Sequence, residues 1–110
     1  MNPPNKQEAK VALITGSSRR IGAAIVKKLH ATGYKVVIHC HHSLSEAHSL
    51  AAHLNSQRAN SAFVVQRDLT APCAAEEIMT AVQDWAGQLD LLVNNASVFI
   101  RTEFTTFAET

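Results

Sequence analysis

Apolar residues along the chain follow two rhythms. Four short continuous runs, Val11-Ala12-Leu13-Ile14, Val36-Val37-Ile38, Ala62-Phe63-Val64-Val65 and Leu89 to Val93, are rich in β-branched residues. Runs of this kind predict strands covered on both faces. Between them, apolar positions recur at helical spacing: Ile21, Ile25 and Leu29, then Leu44, Ala47, Leu50 and Leu54, then Ile78, Val82 and Trp85. These predict three helices and the order β-α-β-α-β-α-β. Start and stop signals agree with that order. Gly33 follows the first helix, Ser43 precedes the second with Glu46 three residues on, and Thr70 with Pro72 opens the third.

Strict alternation of strand and helix calls for a parallel sheet with right-handed crossovers, the first part of a doubly wound, Rossmann-type α/β domain. With 110 residues, 46% of them hydrophobic and 17% charged, the chain has material for one core and no room for a second domain. Residues 1–9 are polar and read as a loose tail, and residues 10–110 as the domain part. After Asn94-Asn95 the pattern stops, which would leave the apolar run Leu91-Leu92-Val93 at an open sheet edge. The sheet is therefore expected to be incomplete and the chain to be a fragment.

Ten Lys and Arg against nine Asp and Glu leave a formal charge of +1, so no global field steers the protein toward nucleic acid or an anionic membrane. No stretch approaches the about 18 apolar residues of a transmembrane helix, and the expected location is cytoplasmic. Cys40 and Cys73 lack C-x-x-C spacing and read as free thiols.

Chemistry is concentrated where strands end. Thr15-Gly16-Ser17-Ser18-Arg19-Arg20-Ile21-Gly22 directly follows the first strand and opens a helix, where free N–H groups and the helix dipole favour a pyrophosphate. Gly16 permits the tight turn and Gly22 close helix–strand packing, while Ser17, Ser18, Arg19 and Arg20 are candidate phosphate donors. The strict G-x-G-x-x-G pattern is not met, and an ordinary βα turn with solvated arginines is the competing reading. At the end of the second strand stands His39-Cys40-His41-His42-Ser43. NAD-preferring sites carry a carboxylate about 20 residues after the glycines. No acid occurs here between Gly22 and Glu46, so His41, His42 and Ser43 favour a 2′-phosphate and hence NADPH. Strand alternation sends His39 and His41 one way and His42 the other, which argues against a metal site. His30, His48 and His53 fall on helices and are expected at the surface.

Asp68-Leu69 follows the third strand, at the end of the sheet where open α/β sheets bind ligands. Asp68 suits either an adenine amino group or the N-terminal dipole of the third helix. Asn94-Asn95-Ala96-Ser97-Val98-Phe99 closes the fourth strand, where small residues let a flat ring approach the backbone. Phe99 suits stacking on a planar substrate or a place in the core.

Together these three motifs resemble the N-terminal half of the short-chain dehydrogenase/reductase family over residues 10 to about 100. Two departures from the general pattern are similar to its pteridine reductase branch: Arg20 where the family usually has its middle glycine, and Ser97 where Asn-Asn-Ala is usually followed by glycine. The His-rich segment leading into Ser43, Glu46 and Ala47 is similar to that branch as well. The resemblance implies an NADPH-dependent, homo-oligomeric reductase of pterins or folates. Its cofactor would lie against Gly16 to Gly22, His41 to Ser43, Asp68, Leu69, Asn95 and Ala96. Arg20 would touch both pyrophosphate and pterin, Ser97 the pterin, and Phe99 would sandwich the pterin against the nicotinamide. An arginine often stands in that branch at the position of His42, so the 2′-phosphate would be held less firmly here.

The family's Tyr-x-x-x-Lys pair has no counterpart, since Tyr34 is the one tyrosine and Ile38 is its fourth follower. No catalytic residue is expected within the chain, which would be inactive alone. Two alternatives stand beside the pteridine reductase reading: a non-catalytic dinucleotide-binding module, and part of a general short-chain carbonyl reductase.

Overall fold

The computed structural model describes residues 9–96. It contains β1 (Val11–Ile14), α1 (Arg20–Ala31), β2 (Lys35–Cys40), α2 (Leu44–Gln57), β3 (Ala62–Gln66), α3 (Ala74–Ala86) and β4 (Leu91–Val93). The strands form one parallel sheet in the order β3-β2-β1-β4. The predicted α/β class and alternation are therefore the observed ones.

Each strand is a continuous apolar run because both faces of the sheet are covered. On one face Ala12, Ile14, Val36, Ile38 and Cys40 pack against Val26 of α1 and Ala47, Leu50, Ala51 and Leu54 of α2. On the other, Val11, Leu13, Val37 and Val65 pack against Ile78 and Val82 of α3. Alternate residues of one strand thus serve different cores, as the period of two requires. β4 pairs with β1 on one side and, among the described residues, with no strand on the other. Its Leu92 is half exposed.

The helical stripe of α1 differs from the expected one. Gly22, Val26 and His30 are buried, flanked by partly buried Ala23, Ile25 and Leu29, and Ile21 is exposed. A glycine and a histidine hid the true stripe from a hydrophobicity reading. The third helix begins later than Thr70 and Pro72 suggest. Asp68 Oδ1 accepts the Thr70 N–H at 2.9 Å and its hydroxyl at 2.7 Å, so a side-chain turn occupies this segment and α3 starts at Ala74. The run from Leu89 yields a strand only from Leu91. Asp90 Oδ2 takes the Val11 N–H at 2.8 Å, while the Asp90 N–H reaches the Val11 carbonyl, a clamp that aligns β4 on β1.

His30 corrects the expectation of a surface position, whereas His48 and His53 are exposed. The His30 ring is buried at the end of α1, with Nε2 2.7 Å from Ser61 Oγ. Ser61 gives its hydroxyl proton to the Arg58 carbonyl, so the ring donates to the oxygen. Burial, followed by the nearby Arg58 and His53, pushes the His30 pKa down. Burial does the same, as the largest cause, for His39. An unfolded chain takes up these protons near about pH 6.5, whereas the folded chain takes them up only at lower pH. Stability is therefore fully present above about 6.5 and falls as the pH drops toward the folded values. Urea unfolding should show a lower midpoint at pH 5.5 than at 7.5, with part of the slope removed by His30→Asn. A midpoint independent of pH would contradict this.

Candidate functional site

The strand order places β1 between β2 and β4, so the chain, having moved outward from β1 to β3, returns to the far side of β1. That reversal opens a crevice at the carboxyl ends of β1 and β4. A cleft of about 540 Å³ lies there. All the cofactor candidates named above except Ser17 line it: Gly16, Ser18, Arg19, Arg20, Ile21 and Gly22 from the first turn; His41, His42 and Ser43 beyond β2; Asp68 and Leu69 beyond β3; Asn95 and Ala96 beyond β4. Ser97 and Phe99 lie outside the described residues, as do residues 1–8 of the expected tail.

Ser17 is fully buried behind the wall, with its N–H on the His39 carbonyl at 2.9 Å and no partner for its hydroxyl among the described residues. It is withdrawn from the cleft surface because the turn doubles back over β2. Gly16 has φ +59, and a Cβ there would stand 2.9 Å from Ala96 Cα. At Gly22 a Cβ would meet the Gly16 carbonyl oxygen at 2.5 Å and Asn95 Nδ2 at 2.6 Å. Both glycines therefore allow three segments of chain to converge at one point, and Asn95 Nδ2 donates to the Gly16 carbonyl at 2.9 Å across it.

Arg20 opens α1 with φ +57, in the left-handed region. This is the physical reason a glycine suits the position, and the arginine occupies it at a backbone cost. The start of α1 faces the cleft, and the first N–H groups of a helix have no partner within it. The wall there is suited to an anion.

The expected alternation of the histidines ends with β2 at Cys40. His41 and His42 lie in a bend, both on the cleft, with ring centroids 3.8 Å apart. Among the described residues no group of three metal-ligating side chains forms. Asp68 keeps Oδ1 in its turn with Thr70 and holds Oδ2 3.7 Å from His41 Nε2. Those Thr70 bonds are the main cause of its lowered pKa, with His41 and His42 adding to it. It stands outside the first turn of α3, so the helix-dipole reading of Asp68 does not hold. Cys40 is buried and Cys73 exposed, both as free thiols.

Two residues that hold the site together carried no assigned role in the sequence. Thr15 Oγ1 accepts the N–H groups of Asn95 and Ala96 at 3.0 and 3.1 Å, tying the β4 loop to the β1 turn. His39 accepts the Gly16 N–H on Nδ1 at 2.9 Å. A threonine before the glycine and a histidine inside an apolar strand were the available signals.

A short chain dehydrogenase family model matches residues 10–110. The chain belongs to that family. Its members bind nicotinamide dinucleotides. Among its relatives are pteridine reductase 1 of Leishmania tarentolae, 41% identical over 86% of this chain and 38% of that protein, and a 3-oxoacyl-[acyl-carrier-protein] reductase of Synechocystis sp., 34% identical over 82% and 36%. Versicolorin reductase 1 of Aspergillus parasiticus is 33% identical over 89% and 37%. The chain thus spans less than half the length of the relatives it matches. Among the described residues no helix is long and apolar enough to cross a membrane.

Proposed function

We propose that the protein carrying this chain is an NADPH-dependent short-chain reductase of pterins or folates, and that the cleft at the strand ends is its cofactor site. The observation that carries the reading is the composition of the two ends of that cleft. At one end the helix start presents Ser18, Arg19 and Arg20 beside two glycines whose close packing against Ala96 and Asn95 sets the turn at the helix N-terminus, where free N–H groups suit a pyrophosphate. At the other, the segment after β2 presents His41, His42 and Ser43 with no carboxylate of its own, Asp68 beyond β3 standing 3.7 Å from His41, and this donor set suits a 2′-phosphate better than a free ribose hydroxyl. Asp68 and Leu69 would flank the adenine, and Asn95 and Ala96 would form the floor where the ring system passes β4. Arg20, projecting from the helix start, would serve both phosphate and substrate.

When bound, NADPH supplies the hydride. This chain's residues bind and orient the dinucleotide, and no Tyr-x-x-x-Lys pair occurs within them to deliver a proton. The pterin class is supported by the likeness to pteridine reductase 1 and by Arg20 in place of a glycine. The ketoacyl reductase among the relatives supports a second reading, a carbonyl reductase of broader kind. Assaying NADPH oxidation by the intact protein with biopterin, folate and a simple ketone separates the two. Turnover with the ketone alone would overturn the pterin assignment, and NADPH binding without turnover on any of them would indicate a binding module.

His42 is also a test of the 2′-phosphate assignment. His42→Arg should raise the preference for NADPH over NADH by about tenfold, since a guanidinium is always charged and pairs bidentately with phosphate. An unchanged ratio of dissociation constants would place the 2′-phosphate elsewhere.

A further inference from the structure

His39 is fully buried at the carboxyl end of β2, yet it reaches three strand ends at once. Its Nδ1 accepts the Gly16 N–H at 2.9 Å, its carbonyl accepts the Ser17 N–H at 2.9 Å, and its Nε2 lies 2.9 Å from the Arg67 carbonyl beyond β3. The partners dictate the proton's place. Gly16 can only donate and the Arg67 carbonyl can only accept, so the ring must be neutral, with its hydrogen on Nε2. Side chain and main chain of one residue therefore fasten both consecutive amides of the turn that opens the cleft.

We propose that His39 is a positioning residue for the dinucleotide, a latch whose neutral Nε2–H form holds the Gly16-Ser17 turn in its binding shape and whose protonation releases it. A second proton would go on Nδ1, setting N–H against the Gly16 N–H in a buried site, so the turn must move or the proton must leave. The released amide would no longer hold Gly16 against Ala96 and Gly22, and the floor and wall of the cleft would separate. Affinity for dinucleotide then falls as pH falls.

The charged and titratable groups around the ring are few. On its own strand end are Cys40, its thiol pKa pushed up by burial, and His41 and His42; beyond β3 are Arg67, whose guanidinium is paired at 2.8 Å with Glu77 of α3, and Asp68, beside His41; on the turn and α1 are Arg19 and Arg20. Burial disfavours the charged ring most, the Arg67 carbonyl favours it, and His41 disfavours it further, so the latch stays closed at neutral pH. Because the latch is a regulation of the cofactor site, it rests on the dinucleotide reading above.

The test compares the intact wild-type protein with His39→Asn, whose side-chain carbonyl can accept the Gly16 N–H without titrating. NADP⁺ and NAD⁺ are titrated between about pH 7.5 and about pH 5, and the His39 ring nitrogens and Gly16 amide are followed by ¹⁵N NMR in the wild type. NAD⁺ lacks the 2′-phosphate, so any pH effect carried by that phosphate drops out of its curve. The expected result is NAD⁺ binding about tenfold weaker at the acid end in the wild type and nearly flat in His39→Asn, with the ring in its Nε2–H form at neutral pH. Equal pH slopes in the two proteins, or a hydrogen on Nδ1 at neutral pH, would overturn the latch while leaving the cofactor site in place. If neither dinucleotide bound at neutral pH, the cofactor reading would fail. The latch would then be decided by whether the Gly16 amide titrates together with the ring, and no joint titration would reject it. The same NMR measurement decides the matter should His39→Asn not fold.

Discussion

Replacing Gly22 by alanine is expected to destabilise the protein by about 2–3 kcal/mol and to abolish dinucleotide binding, the largest effect foreseen for any single methyl group in this chain. The added Cβ would stand 2.5 Å from the Gly16 carbonyl oxygen, 2.6 Å from Ser17 Cα and 2.6 Å from Asn95 Nδ2. Two of these three atoms are backbone, so no rotamer change relieves the contact. The turn must be pushed off α1, breaking the Asn95-to-Gly16 hydrogen bond and the two bonds to His39. Alanine gains about 1 kcal/mol of helix propensity over glycine, too little to offset the overlap. Gly33→Ala is the matched control. It has φ +109 and nothing within 4 Å of the point where the new methyl would stand, so it should cost stability through backbone strain alone and leave binding intact. Denaturant midpoints and NADPH fluorescence titrations on both variants check the contrast. Wild-type affinity in Gly22→Ala would mean that the cleft does not depend on this convergence.

Arg20→Gly should move stability and binding in opposite directions. With φ +57 the arginine sits where a side chain clashes with its own backbone, and glycine at such a position relieves about 1 kcal/mol. Loss of a charge-assisted bond to phosphate removes about 1.5–3 kcal/mol of binding, a weakening of roughly ten- to a hundredfold. The variant is thus expected to have a higher Tm and a higher Kd for NADPH. Strain retained at a site that gains stability without it is the signature of a residue kept for its contacts. A Kd unchanged at low salt would remove Arg20 from the pyrophosphate, and an unchanged or lowered Tm would show that the backbone strain is met elsewhere.

Much of the architecture was legible because it depends on short-range regularities. Continuous apolar runs such as Val36-Val37-Ile38 mark strands buried on both faces, and helical spacing between them dictates parallel crossovers. The cleft residues were legible for the same reason, since ligands of such sheets lie at strand ends whatever the details of packing. The errors arose where a polar residue serves the core or a side chain replaces a helix cap. His30 looked solvent-facing on its helix, but Ser61, distant in sequence, supplies the partner that makes its burial tolerable. Thr70 and Pro72 read as the opening of the third helix, but the bonds of Asp68 to Thr70 occupy that segment and the helix starts at Ala74.

Chain order and hydrophobic period alone therefore establish a parallel α/β sheet with a glycine-bearing turn after the first strand at the end where clefts form, because both follow from local geometry and from which faces must be buried. Contacts between segments far apart in sequence decided the rest: Gly22 beneath Asn95, Thr15 beneath Ala96, and His39 bonded to Gly16 and the Arg67 carbonyl. Direction and proton position determine those hydrogen bonds, and neither is encoded by spacing along the chain. A histidine that reads as one of a polar cluster becomes, once folded, the residue that holds the turn.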